Sequence, residues 1–155
     1  MKSGYVAVIG RPNVGKSTLI NALLGQKVAA VSPKPQTTRR QQFGILTTDE
    51  FQIVFIDTPG LHQPRHKLGE VLNQKAEESL AHVDAILWLV SVAEAPTEDD
   101  RRIAAHLAGL KRRAPLILAA NKLDLVNPDE LSANTAPYAE LAPEAEIVPI
   151  SAIQA

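Results

Sequence analysis

The chain has no cysteine, which excludes a disulfide framework and any thiolate metal cluster and argues against a small secreted scaffold. The cytosol is the default compartment. Aromatic residues are scarce as well, 4% of a chain that is 45% hydrophobic, so its apolar content is mainly aliphatic. An excess of charge of either sign is also missing: 16 Lys+Arg face 17 Asp+Glu, a formal net charge of −1 with a pI near 6.4. Such balance gives no overall pull toward nucleic acid or anionic lipid, so any main RNA-binding surface is expected outside this segment. No apolar run approaches the ~20 residues that span a bilayer; the longest, 85–90, stops at Ser91. Residues 1–4 open directly onto a strand-like run, and no signal peptide is expected. A length of 155 residues suits one domain.

Short Val/Ile/Leu-rich runs at 5–9, 53–56, 85–92, 116–120 and 147–150 alternate with helix-spaced segments at 17–24, 68–80, 99–110 and 129–141. The runs lack clean alternation, as strands buried on both faces do. The expected fold is therefore α/β, a mostly parallel central sheet with helices on both faces. The pair 43–48 and 52–56, joined by Thr48-Asp49-Glu50, reads instead as a hairpin and predicts one antiparallel strand. Two segments, 27–40 and 61–67, fit neither pattern. Long loops in a compact domain are commonly functional.

Gly10-Arg11-Pro12-Asn13-Val14-Gly15-Lys16-Ser17 matches the phosphate-loop pattern, and it lies between the first strand and the first helix as that pattern requires. Glycines let successive backbone N–H groups face a phosphate, and a helix starting at Lys16 adds its positive dipole end. Lys16 is then expected at the β/γ-phosphates and Ser17 on Mg²⁺, with Thr18 following in the same turn.

Asp57-Thr58-Pro59-Gly60 stands at the carboxyl end of the 53–56 run, where Asp57 can hold a Mg²⁺-bound water and Gly60 can offer its N–H to a γ-phosphate. Alone it is a good turn sequence. Downstream of a phosphate loop it reads as a γ-phosphate sensor.

Asn121-Lys122-Leu123-Asp124 follows the strand at 116–120 and chooses the base. Asp124 can accept from guanine N1–H and the N2 amine, whereas adenine leaves the carboxylate unpaired, a difference worth ~10⁴-fold. Asn121 braces the phosphate loop, and the Lys122 stem covers one face of the ring. Ser151-Ala152, after the last strand, supplies a backbone N–H for guanine O6.

In this order the elements resemble the translation-factor-like P-loop GTPases, and within their TrmE-Era-EngA-septin-like group the Era family of ribosome-assembly GTPases. The resemblance is carried by the loop 10–18, by Val31-Ser32-Pro33-Lys34-Pro35-Gln36-Thr37-Thr38-Arg39, and by 57–70. Pro35-Gln36-Thr37-Thr38-Arg39 discriminates, because the sibling families usually place Gly before the threonine and Asp after the arginine, where this chain has Gln36 and Arg40.

The resemblance implies GTP and GDP as ligands, hydrolysis of GTP to GDP and phosphate with slow basal turnover, and two switch loops in the unassigned segments. Thr38, with Thr37 in reserve, would complete a Mg²⁺ shell with Ser17 and Asp57. Asn13 would ligate K⁺ and so take part in catalysis beside Lys16, Thr38 and Gly60. It also implies the small ribosomal subunit and its 16S rRNA as partners, a monomer, and a cytoplasmic protein with peripheral association at the inner face of the membrane.

The chain departs from the family pattern in three respects. None of its eight glycines forms the G-x-x-G clamp of the RNA-binding KH domain that follows the GTPase domain in Era. It stops four residues after Ser151, so it reads as a GTPase domain lacking its closing helix. Leu61 stands where a water-positioning glutamine usually follows. The last point keeps open a guanine-nucleotide sensor without turnover, and a sibling GTPase in large-subunit assembly or tRNA modification is the other alternative. An ATP-dependent kinase is opposed by Asp124.

Overall fold

The structure is a computed structural model that describes residues 2–11, 14–24, 41–57, 80, 82–109 and 114–152, with only the backbone at 41–43 and 57. Six strands form one sheet: β1 (Lys2–Ile9), β2 (Gln41–Thr47), β3 (Phe51–Asp57), β4 (Ala85–Ser91), β5 (Leu116–Asn121) and β6 (Glu146–Pro149). Their order is β2-β3-β1-β4-β5-β6, and only β2 runs antiparallel. The hairpin between β2 and β3 closes on Thr48, whose Oγ1 accepts from the N–H groups of Phe51 at 3.1 Å and Glu50 at 3.3 Å. Thr48 thus does locally what an Asx-type turn residue does.

Successive residues of the central strands face opposite layers, which explains the unbroken apolar runs. Ala7, Ile9, Ile86, Trp88 and Val90 enter one core with Ile103, Leu107 and Tyr138, while Val8, Leu89, Ala119 and Phe55 enter the other with Leu19 and Ile20. The first layer is built from α2 (Glu98–Ala108) and α3 (Leu131–Leu141), the second from α1 (Lys16–Leu24). The mixed sheet with helices on both faces is the architecture expected from the sequence. The helix expected at 68–80 lies outside the described residues except for Leu80, which is fully buried in the first core.

Boundaries moved where hydrogen bonds decide them. α2 begins one residue earlier than expected because Thr97 and Asp100 form a capping box, and it ends at Ala108 because the Gly109 N–H turns back to Ala105 and His106. The segment 129–141 opens with a 3-10 turn, Pro128–Glu130, before α3, since Pro128 suits a first helical position. Among the described residues no helix is long and apolar enough to cross a membrane.

The five parallel strands all end on one sheet edge. Asp57 pairs with Val8 in the register of β3 and β1, and Ser91 pairs with Asn121 in that of β4 and β5, so the segments after β1, β3 and β5 emerge together. In open α/β sheets this edge is where ligands bind.

Candidate functional site

Gly10 leaves β1 against the backbone of β4. A Cβ at Gly10 would sit 2.8 Å from the Leu89 carbonyl oxygen, and Gly15, at φ +102°, approaches Asn121 so closely that a Cβ would fall on its amide nitrogen. Glycine at both places is a demand of close packing. Lys16 folds back along the loop and donates Nζ to the Gly10 carbonyl at 2.8 Å. The Leu19 N–H bonds to the Gly15 carbonyl at 2.9 Å, which starts α1 and directs its amino end into the cleft lined by Lys16, Ser17 and Thr18.

The far side of this cleft is made by the segment after β5. Asn121, 3% exposed, donates Nδ2 to the Val14 carbonyl at 2.7 Å and accepts the Ala152 N–H on Oδ1 at 3.0 Å. Lys122 adopts a left-handed conformation, φ 69° and ψ 34°, and with the Leu123 N–H bonded to the Ile150 carbonyl at 3.1 Å the chain turns back toward the cleft. Asp124 is held there by the Ser151 hydroxyl, which donates to Oδ1 at 2.7 Å. Gly15, Lys16, Ser17, Thr18, Asn121, Lys122, Asp124, Leu125 and Ala152 together line about 500 Å³, within the range of small-molecule sites. One end offers the Lys16 ammonium and helix N–H groups, the other a positioned carboxylate. That polarity fits a phosphorylated ligand whose remote end carries hydrogen-bond donors.

The structure brings together Gly10, Val14, Gly15, Lys16, Ser17, Thr18, Asn121, Lys122, Asp124, Ser151 and Ala152 from the sequence-predicted set. Asp57 closes β3 on the same edge. Pro12, Asn13, Thr38, Thr58, Pro59 and Gly60, together with Leu61 and Thr37, lie outside the described residues. Two of the sequence-predicted residues have partners within the protein. Of the Ser151-Ala152 pair, expected to offer a backbone N–H to guanine O6, the Ala152 N–H is donated to Asn121 Oδ1. The Arg11 side chain is engaged within the protein, with Nε 3.2 Å from Asp100 Oδ2 and Nη2 3.0 Å from Glu94 Oε2.

Sequence reasoning passed over Asp100 and Tyr138. The pattern Thr97-Glu98-Asp99-Asp100 before an apolar helical run is a capping-box signal that locates Asp100 at the head of α2. No local pattern would have joined Asp100 to Arg11, 89 residues earlier.

The family model for 50S ribosome-binding GTPases matches residues 5–122. The chain is also similar to solved structures of Era. One is Era in complex with MgGDPNP and nucleotides 1506–1542 of 16S ribosomal RNA, at 38% identity and a TM-score of 0.79 over 99% of this chain and 52% of that one. Another is a variant of Aquifex aeolicus Era bound to GDP·AlF4⁻, at 38% identity and a TM-score of 0.78 with the same coverage. The FeoB G-domain from Methanococcus jannaschii follows at 25% identity and a TM-score of 0.63, over 99% of this chain and 89% of that one. This chain spans about half the length of the Era chains it matches.

Proposed function

Since the chain belongs to the 50S ribosome-binding GTPase family and is an Era-like GTPase domain, we propose that it is a slow, Mg²⁺-dependent GTP switch whose nucleotide state governs engagement of the small ribosomal subunit and its 16S rRNA. The observation that carries the nucleotide part is the pair of hydrogen bonds of the Asn121 amide, donated to the Val14 carbonyl in the phosphate loop and accepted from the N–H of Ala152, which lines the cleft with Asp124. It holds a phosphate end and a base end in fixed relation. Asp124, oriented by Ser151, would accept from guanine N1–H and N2, and the Lys122 stem would cover the ring.

Ser17, in the first turn of α1 and on the cleft wall, and Asp57, at the end of the strand paired with β1, would hold Mg²⁺, with Thr38 completing its shell. The ion supplies charge neutralisation between the β- and γ-phosphates when bound. Lys16, keeping one donor on the Gly10 carbonyl, would turn the others to phosphate oxygens, and Gly60 would report the γ-phosphate through its N–H.

The ribosomal part rests on the Era complex with 16S rRNA. Because this chain spans about half of that protein and is electrically balanced, these residues alone would contribute little to tight RNA contact, which in the Era family the resemblance gives to a KH-type domain. We place this role in the cytoplasm, with peripheral membrane contact at the inner face, for a monomer.

The test is a titration with GTP, GDP and ATP followed by phosphate release. Guanine nucleotides should bind with Mg²⁺ at least ~10²-fold more tightly than ATP, and bound GTP should be cleaved slowly. Equal affinity for ATP would overturn the base assignment. Tight GTP binding without phosphate release would favour the sensor reading that Leu61 keeps open.

A further inference from the structure

Asp100 belongs to no nucleotide motif, yet the phosphate loop is tied to it. It occupies the third position of α2 and is fully buried. Its Oδ2 accepts from Arg11 Nε at 3.2 Å, from the Thr97 N–H at 2.9 Å and from Thr97 Oγ1 at 3.0 Å. A carboxylate out of water needs a compensating cation. Arg11, with a side chain 12% exposed, is that cation, and the other arm of its fork holds Glu94 at 3.0 Å. From α3 the Tyr138 hydroxyl shares its hydrogen between the carbonyls of Ser91 at 3.0 Å and Glu94 at 2.8 Å and takes a bond from Arg11. Burial, reinforced by the charge of Asp100, pushes the Tyr138 hydroxyl up to about 12, so it remains a donor.

We propose that Asp100 is a positioning residue for the phosphate loop, acting through Arg11: the buried pair fastens the start of the loop to the head of α2 and thereby slows nucleotide release. The inference rests on the nucleotide-binding reading above. Arg11 directly follows Gly10, whose carbonyl holds Lys16, so any shift at Arg11 displaces the acceptor that positions the lysine. The far end of the same loop is fastened by Asn121 at Val14. A loop secured at both ends loses less freedom when phosphate arrives, and affinity rises accordingly. Lysine at position 11 would keep the charge but lose the fork that reaches Asp100 and Glu94 together.

The experiment measures release of a fluorescent GDP analogue from the full chain by stopped flow, for wild type, Asp100→Asn, Arg11→Lys and the double variant. Unfolding is followed in parallel through Trp88, the single tryptophan. Each single substitution should speed release by roughly 3- to 30-fold at temperatures where the variant is fully folded, and the double variant should be no faster than the faster single one. A purely structural role for Asp100 would lower the unfolding midpoint and leave release from folded protein unchanged, which overturns the proposal, as does simple multiplication of the two effects. If Asp100→Asn does not fold, Glu94→Gln on the half-exposed arm carries the test, with about twofold faster release expected and no change counting against it. Failure of wild type to bind GDP would instead defeat the nucleotide reading itself.

Discussion

Asn121 donates its side-chain amide to the Val14 carbonyl at 2.7 Å, joining the end of β5 to the phosphate loop 107 residues earlier. Its oxygen takes the Ala152 N–H, so both ends of one buried amide are spent on backbone. Asn121→Ala strands a carbonyl and an N–H in the interior, each at ~1–3 kcal/mol. The variant should lose about 2–4 kcal/mol of stability in a denaturant titration read through Trp88. Its affinity for GDP should fall at least ~10²-fold because the two halves of the cleft are uncoupled. A stability loss below ~1 kcal/mol would mean that water replaces both bonds.

Base selection is expected to reside in Asp124. Asp124→Asn replaces an acceptor pair with an amide, which weakens guanine binding and suits xanthine, whose C2 carbonyl accepts. Ser151→Ala removes only the 2.7 Å bond that orients the carboxylate and should cost GDP affinity a factor of about 3–10 without changing base preference. Competition between guanosine and xanthosine diphosphates decides both, and an Asp124→Asn protein that keeps wild-type preference would remove the residue from recognition.

The α/β order and the phosphate loop were legible because they are local: strand runs of Val, Ile and Leu, and a loop whose glycines and lysine sit at fixed spacing. The hairpin was legible through Thr48 and the short 48–50 connection, and the strand order then brought the motifs to one edge. Pairings across the sheet were not legible. Nothing near Arg11 announces Asp100, and nothing near Ser151 announces that its hydroxyl donates to Asp124. A side chain with several donors, such as arginine, chooses its partner by tertiary proximity, which a one-dimensional pattern does not contain.

Tyr138 makes stability sensitive to alkali. Its hydroxyl is raised from 10.0 to about 12, chiefly by burial, so between those values the unfolded chain releases a proton that the folded chain keeps. The folded state is then at a growing disadvantage: the contribution is whole below pH 10 and declines by roughly 2–3 kcal/mol toward pH 12. Tyr138→Phe should flatten this slope by about one proton in denaturant titrations across that range. At neutral pH it should still cost ~1–2 kcal/mol for the donor withdrawn from the Ser91 and Glu94 carbonyls. An unchanged slope would place the alkaline loss elsewhere.

Hydrolysis must proceed with Leu61 where a glutamine would orient water, and an aliphatic side chain neither donates to nor accepts from the nucleophile. Charge builds between the β- and γ-phosphates, and a cation supplied there as an arginine finger is worth ~10³–10⁵ in rate. Asn13, inside the phosphate loop, carries an oxygen suited to a monovalent cation shared with phosphate oxygens and carbonyls of the segment 27–36. Basal turnover should therefore be faster in KCl than in matched NaCl, and Asn13→Ala should abolish the difference while retaining slow hydrolysis in both. The competing role for Asn13, a hydrogen-bonding brace within the loop, lowers nucleotide affinity equally in the two salts when removed. Phosphate release by wild type and variant in the two salts separates these outcomes: equal wild-type rates would exclude the cation, and a K⁺ effect that survives Asn13→Ala would assign its binding to other residues.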